Sequence, residues 1–197
     1  YTFNDADERL VLVNANLSYG EEPSPNLAAA DESGGIQLET EAAQNYQQMA
    51  EAARADGVEL VLNAGYLDAD ARSAVFDARK QFYLEKGRTE EDAASLAALV
   101  QPEADCNEHG TGYAADILSA DYTTLDTGFA GTRAYEWLTA YAAEYGFILR
   151  YPEERQAATG VVFEPWHWRY VGRENALAIR ASGLSLEEFL ALQKASK

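Results

Sequence analysis

The chain has 197 residues, of which 47% are hydrophobic and 24% charged; these ordinary globular values exclude a wholly disordered polymer. Against 15 Lys plus Arg stand 33 Asp plus Glu, a net charge of −18. Such a field repels phosphate backbones and anionic lipid, so no nucleic-acid partner is expected. A single Cys excludes a disulfide framework and any multi-Cys zinc site.

The length fits one domain over residues 1–197. Residues 1–38 read as an irregular lead-in, because the apolar stretch at 10–13 is followed by Pro23, Pro25, Gly34 and Gly35, which punctuate loops. From Glu39 the pattern turns helical. Ala42, Tyr46, Met49, Ala50 and Ala53 share one face, Glu39 and Glu41 sit at the positive N-terminal end, and Gly57 is a natural stop. VELVLN at 58–63 alternates as a strand, broken by Gly65. Residues 69–86 read as a helix closed by Gly87, and a shorter helix begins at Thr89, which pairs with Asp92. Residues 113–118 suit a strand. The next helix, 131–145, turns Ala134, Leu138, Tyr141, Ala142 and Tyr145 inward and ends at Gly146. Short strands are expected at 147–151, 160–163 and 167–171. Two helices close the chain, the last opened by Ser185 and Glu188 as a capping box. This order predicts an α+β fold, a small antiparallel sheet flanked by helices. No apolar run approaches the ~18 residues that cross a bilayer, so no membrane-spanning segment is expected.

The chain has two His. His109 lies in CNEHGTGYAAD, seven positions before Asp116, and His167 lies in FEPWHWRYVG, three positions after Glu164. Each His can be a hydrogen-bonded partner in a polar loop or core. The alternative is a shared site. Gly110 and Gly112 permit a tight path that brings His109 toward a strand carrying Asp116, and His167 would add a third ligand. Two His and one carboxylate leave an open fourth position, the arrangement of catalytic zinc. Glu164 would then be a nearby carboxylate able to move a proton.

These segments resemble the VanY-type D-alanyl-D-alanine carboxypeptidases, zinc peptidases related to the VanX-type dipeptidases, lysostaphin-like enzymes and the hedgehog signalling domain. The resemblance runs from LVLVN at 10–14 through Asn63, Ala64, Gly65 and Tyr66. It continues through EHGTGYAADI, YGFILRYPEE and TGVVFEPWHWRYVG to GLSLEEFL. It implies that His109, Asp116 and His167 bind Zn2+ and that Glu164 is the catalytic base. The implied substrate is a peptidoglycan stem peptide, or another peptide ending in D-Ala-D-Ala, cleaved before its last residue. The alternatives for this chain are a D-Ala-D-Ala dipeptidase, a peptidoglycan endopeptidase with altered specificity, or a non-catalytic zinc-containing cell-wall binding module of the kind hedgehog-like relatives illustrate.

One departure stands out. Where the family shows Gly-Tyr-Arg-Ser and then a Gln, this chain reads GYLDADAR, with Leu67, Asp68 and Arg72 at the three altered positions. A cation facing an oxyanion is worth several kcal/mol of transition-state stabilisation. Arg72 is therefore a candidate substrate-binding residue reaching back toward position 67, or else a solvated helix residue. Asn107, where the family often has Ser, and Trp166 are further substrate-contact candidates. Arg133, Arg150 and Arg169 are read either as a local positive site for a carboxylate or as structural ion-pair partners. Cys106 is not needed as a ligand. The chain begins at Tyr1 without Met, which fits either a removed leader or a trimmed chain; with the resemblance, an extracytoplasmic protein is expected, and a monomer.

Overall fold

The computed structural model describes residues 1–4 and 6–196. Two short strands, β1 (Leu27–Ala29) and β2 (Gln37–Glu39), pair as an antiparallel hairpin. The expected irregular lead-in therefore contains a ladder. Its three-residue strands are too short to show periodicity in sequence. Directly after β2 comes α1 (Thr40–Ala55), capped by the Glu39 carboxylate on the amides of Glu41 and Ala42. Its inward face buries Ala42, Tyr46, Met49 and Ala53 as the spacing predicts.

The main sheet has four antiparallel strands in the order β3, β4, β6, β5. These are β3 (Leu60–Ala64), β4 (Ala114–Ser119), β5 (Phe147–Leu149) and β6 (His167–Tyr170). Every residue of β4 and β6 is buried, because helices and loops cover both sides of the sheet centre. Between β3 and β4 the chain makes α2 (Ala69–Glu85) and α3 (Glu90–Ala98), opened by Asp68 and Thr89. Each cap accepts a bond from an otherwise orphaned helical N–H. After β4 come α4 (Arg133–Tyr141) and a 3₁₀ turn over Ala142–Tyr145. A single turn, α5 (Gln156–Thr159), precedes β6, and α6 (Arg173–Ser182) and α7 (Leu186–Ala195) follow it. The Ser185–Glu188 capping box of α7 is present in both directions.

Two apolar clusters hold these layers. The larger joins α1 and α4 to the sheet through Leu38, Met49, Ile117, Leu138, Phe147 and Trp168. The smaller joins α6 and α7 to the N-terminal segment through Leu10, Ile148, Val171, Ile179 and Phe189.

Two expectations are corrected. Residues 160–163 form no strand: the Val162 amide donates to Leu99 O at 2.9 Å, outside the sheet. Tyr141 is exposed rather than inward, because the helix tightens into the 3₁₀ turn there and the buried face passes through Trp137. Among the described residues no helix is long and apolar enough to cross a membrane.

Candidate active site

The site is built where β4 and β6 pair. Register places Asp116 directly opposite His167, so a carboxylate and an imidazole far apart in sequence become cross-strand neighbours. The Asp116 Oδ1 atom lies 3.1 Å from His167 Nδ1. On its other side β4 pairs with β3 through a register shift between Leu62 and Ala64, which sets Ala64 opposite Asp116. Such irregularities bend a strand and re-aim side chains beside it.

His109 arrives from a buried 3₁₀ turn, Glu108–Thr111, immediately before β4. Asn107 caps this turn, its Oδ1 accepting from the His109 amide at 3.0 Å. Gly112 ends it at φ 74°, a left-handed conformation for which glycine carries no Cβ penalty. The Nδ1 of His109 meets the carbonyl of Gly65 at 2.6 Å, leaving Nε2 3.4 Å from Asp116 Oδ1. Gly65 must be glycine here, because a Cβ would collide with the Gln37 carbonyl. That carbonyl also accepts from the Tyr66 amide at 2.7 Å, locking the hairpin against the end of β3.

His109, Asp116 and His167 are all buried, and one ligand atom from each lies within 4.8 Å of the others. Asp116 Oδ1 is buried and accepts no hydrogen bond. A buried, unpaired carboxylate oxygen is costly, and here it faces two imidazole nitrogens whose partners across each ring already have acceptors. His109 Nδ1 has the Gly65 carbonyl, and His167 Nε2 lies 3.4 Å from Glu108 Oε2. The donor set fits a divalent metal: two neutral imidazoles and one carboxylate converging with their lone pairs inward. Without the metal, burial alone would depress the His167 pKa, but Asp116 and Glu108 outweigh it and push it up to about 10. Burial works against the Asp116 charge, yet the two imidazoles hold its pKa well below the usual carboxylate range.

Glu164 stands beside this group, its Oε2 3.8 Å from His167 Nδ1. Its Oε1 is buried and has no hydrogen-bond partner. Burial, reinforced by the charge of Asp116 and partly opposed by His167 and Arg79, pushes its pKa up to about 8. A backbone bond from its amide to Tyr151 O (3.2 Å) and one from the His167 amide to Glu164 O (3.1 Å) fix the loop that presents it. The Tyr151 ring packs on His167 with centroids 4.8 Å apart.

The structure does not bring every candidate to this point. Arg72 is fully buried, and its guanidinium does reach back to the Leu67 carbonyl at 2.6 Å. Its other donors go to Ala104 O at 2.7 Å and to both Glu22 carboxylate oxygens at 2.7 and 2.8 Å. It is thus neither solvated nor aimed at Asp116 and Glu164, because the loop carrying Glu22 covers this end of α2. Asn107 serves the His109 turn as its cap. Trp166 is buried in the larger core cluster. Arg150 and Arg169 are fully buried on Glu108, and Arg133 is exposed. Cys106 is half-buried, outside the metal-ligand group, with its thiol pKa pushed up to about 11 chiefly by burial. Four contributors were not singled out from sequence: Glu108, Gly65, Tyr151 and Arg79. For Glu108 the sequence signal was faint, since an acid beside a His looks like any other acid in a chain holding 33 of them.

The family model for VanY, D-alanyl-D-alanine carboxypeptidase, matches residues 35–173, a span that contains all four site residues. A D-alanyl-D-alanine carboxypeptidase of Enterococcus faecalis is 36% identical over 162 residues, covering 82% of this chain and 59% of that protein. The chain spans 53–59% of the length of the curated relatives that it covers most fully. Among solved structures, VanYB in complex with D-alanine-D-alanine superposes with a TM-score of 0.83 at 33% identity, covering 93% of this chain and 97% of that one. A D,D-pentapeptidase VanY variant in complex with Zn(II) gives 0.83 at 32% identity, covering 93% and 99%. The family model, the relatives and the superposed α+β folds agree, and the chain belongs to the VanY D-alanyl-D-alanine carboxypeptidase family.

Proposed function

We propose that the chain is a zinc-dependent D,D-carboxypeptidase that removes the C-terminal D-Ala from peptidoglycan stem peptides. The observation that carries this reading is the pairing of two orphaned buried oxygens. Asp116 Oδ1 faces both imidazoles, and Glu164 Oε1 stands beside them with no partner. His109, Asp116 and His167 would hold the zinc, which supplies Lewis acidity that polarises a carbonyl and acidifies water.

The protein's own part is proton transfer and orientation. Glu164 takes the proton from the attacking water through its unpartnered oxygen and delivers it to the amine of the departing D-Ala. The Gly65 carbonyl lies 2.6 Å from His109 Nδ1, and by accepting its proton would leave Nε2 free toward Asp116. The reading takes the protein as a monomer acting outside the cytoplasmic membrane, where a cell-wall substrate would be met.

Elemental analysis tests the metal half of the proposal. Wild-type protein is expected to carry about one zinc per chain, and His109→Ala to lose most of it, since three protein ligands are the usual minimum for catalytic zinc. Equal zinc in the two proteins contradicts the assignment. Offering a pentapeptide, free D-Ala-D-Ala and cross-linked dimers side by side then resolves the substrate length, with release of D-Ala from the pentapeptide expected to dominate.

A further inference from the structure

Glu108 is buried in full beneath the site, and its two oxygens have separate partners. One, Oε1, accepts from Arg150 Nε at 2.7 Å and from Arg169 Nη1 at 2.9 Å. The other, Oε2, faces His167 Nε2. The two guanidiniums are themselves anchored far from the metal-ligand group. Arg169 Nη2 donates to Arg9 O and Val11 O at 3.0 and 2.9 Å, and Arg150 Nη2 reaches Val13 O at 3.2 Å. Arg150 also forks onto Glu187 of α7 at 2.6 and 3.0 Å. Every charge in this chain of contacts has a partner: Arg150 pairs with Glu108 and Glu187, and Arg169 with Glu108.

We propose that Glu108 is the positioning residue of the zinc site: it fixes the Nε2–H tautomer and ring orientation of His167, and is itself held rigid by Arg150 and Arg169. The proposal rests on the zinc reading above and assigns a role that the ligands and Glu164 do not cover. A plain charge-neutralising acid would need only the two arginines. The second oxygen is instead spent on the ring nitrogen opposite the one that faces Asp116, and a carboxylate there raises the basicity of the liganding nitrogen. The geometry is also asymmetric in a way that can be measured. His109 is oriented by a backbone carbonyl on Nδ1, whereas His167 is oriented by a side chain on Nε2. Only the second can be altered by substitution without moving the backbone. Through the arginines, the orientation of one ligand is set by the N-terminal segment 9–13 and by α7, the two regions that close over β6.

Two measurements test this. In zinc-loaded wild-type protein labelled at histidine nitrogen, only two imidazoles are present. The expected spectrum shows His167 with a proton on Nε2 that exchanges slowly with water, and His109 with its proton on Nδ1. In Glu108→Gln, confirmed folded by circular dichroism, zinc affinity from competition with a chromophoric chelator should fall about 10–100-fold, with faster exchange at Nε2. If the Gln variant does not fold, the wild-type spectrum decides alone. A His167 ring carrying its proton on Nδ1, or an Nε2 proton exchanging as freely as in an exposed imidazole, overturns the proposal. So does a folded Glu108→Gln with wild-type zinc affinity, the result for an acid that only neutralises two arginines. Each of these leaves zinc bound and the functional reading intact, whereas wild-type protein that takes up no zinc overturns both together.

Discussion

Arg72 shows how a buried charge declares its use through its partners. It makes four hydrogen bonds, to Ala104 O, Leu67 O and the two Glu22 carboxylate oxygens, and the guanidinium lies 5.4 Å from the Tyr19 ring centroid. It ties the 19–22 loop and the 104–106 turn to the start of α2. Arg72→Met is expected to lower folding stability by about 1–3 kcal/mol, the usual cost of unpaired buried acceptors, in a urea titration. Glu22→Gln should cost less, since the Glu22 side chain is 51% exposed and can return to water. A fall in kcat without any loss of stability would instead restore Arg72 to the cleft. At this scale the sequence showed the residues that group at the site, His109, Asp116 and His167, because His is rare in the chain and both stand in distinctive company. It could not show where Arg72 points, since two long rotamers from one backbone position reach either the cleft or the 19–22 loop.

Helix starts were the most legible elements. Thr89 and Ser185, read as caps from sequence, accept the capping bond, because a cap is a local device written within four residues; Asp68 and Thr132, not read as caps, do so too. Short strands were harder. Val161 and Val162 look like a strand, yet the neighbouring ladder is already filled by β6, so the segment bonds to Leu99 instead. The α4 face was displaced because the helix tightens to 3₁₀ at Ala142, which changes the angle between successive side chains. The last helix offers the cleanest test at this scale. Ser185→Ala removes the cap of α7 and should cost about 1 kcal/mol in thermal or chemical unfolding. The helix packs through Leu186, Phe189 and Leu190 and supplies Glu187 to Arg150. An unchanged midpoint would mean that α7 packing alone fixes that end.

Over the whole molecule the charge of −18 dominates behaviour in dilute salt. Acids outnumber bases by more than two to one, so self-repulsion opposes folding and exposed ion pairs cannot balance it. Raising ionic strength from about 0.01 M to about 0.15 M shortens the screening length from about 30 Å to about 8 Å. The melting temperature should therefore rise over that range, and a fall would show that surface ion pairs outweigh the net field. The buried Glu108–Arg150–Arg169 cluster is shielded from this solvent screening. It joins residues 9–13, β6 and α7 around the site, an association across the full length of the chain that no local pattern reveals. What the sequence did show of function was the co-occurrence of two segments. What it could not show was the register that sets Asp116 opposite His167.

The central claim is that His109, Asp116 and His167 hold one zinc while Glu164 moves the proton. It is tested most directly by following D-Ala release from a D-Ala-D-Ala-terminated pentapeptide with wild-type protein and Glu164→Gln, each with measured zinc content. The account predicts that chelation stops wild-type release and that added zinc restores it. It also predicts that Glu164→Gln keeps its zinc but turns over at least ~10²-fold more slowly, the usual lower scale for general acid–base catalysis. Release that persists without zinc, or at an unchanged rate in the zinc-loaded Gln variant, would contradict it.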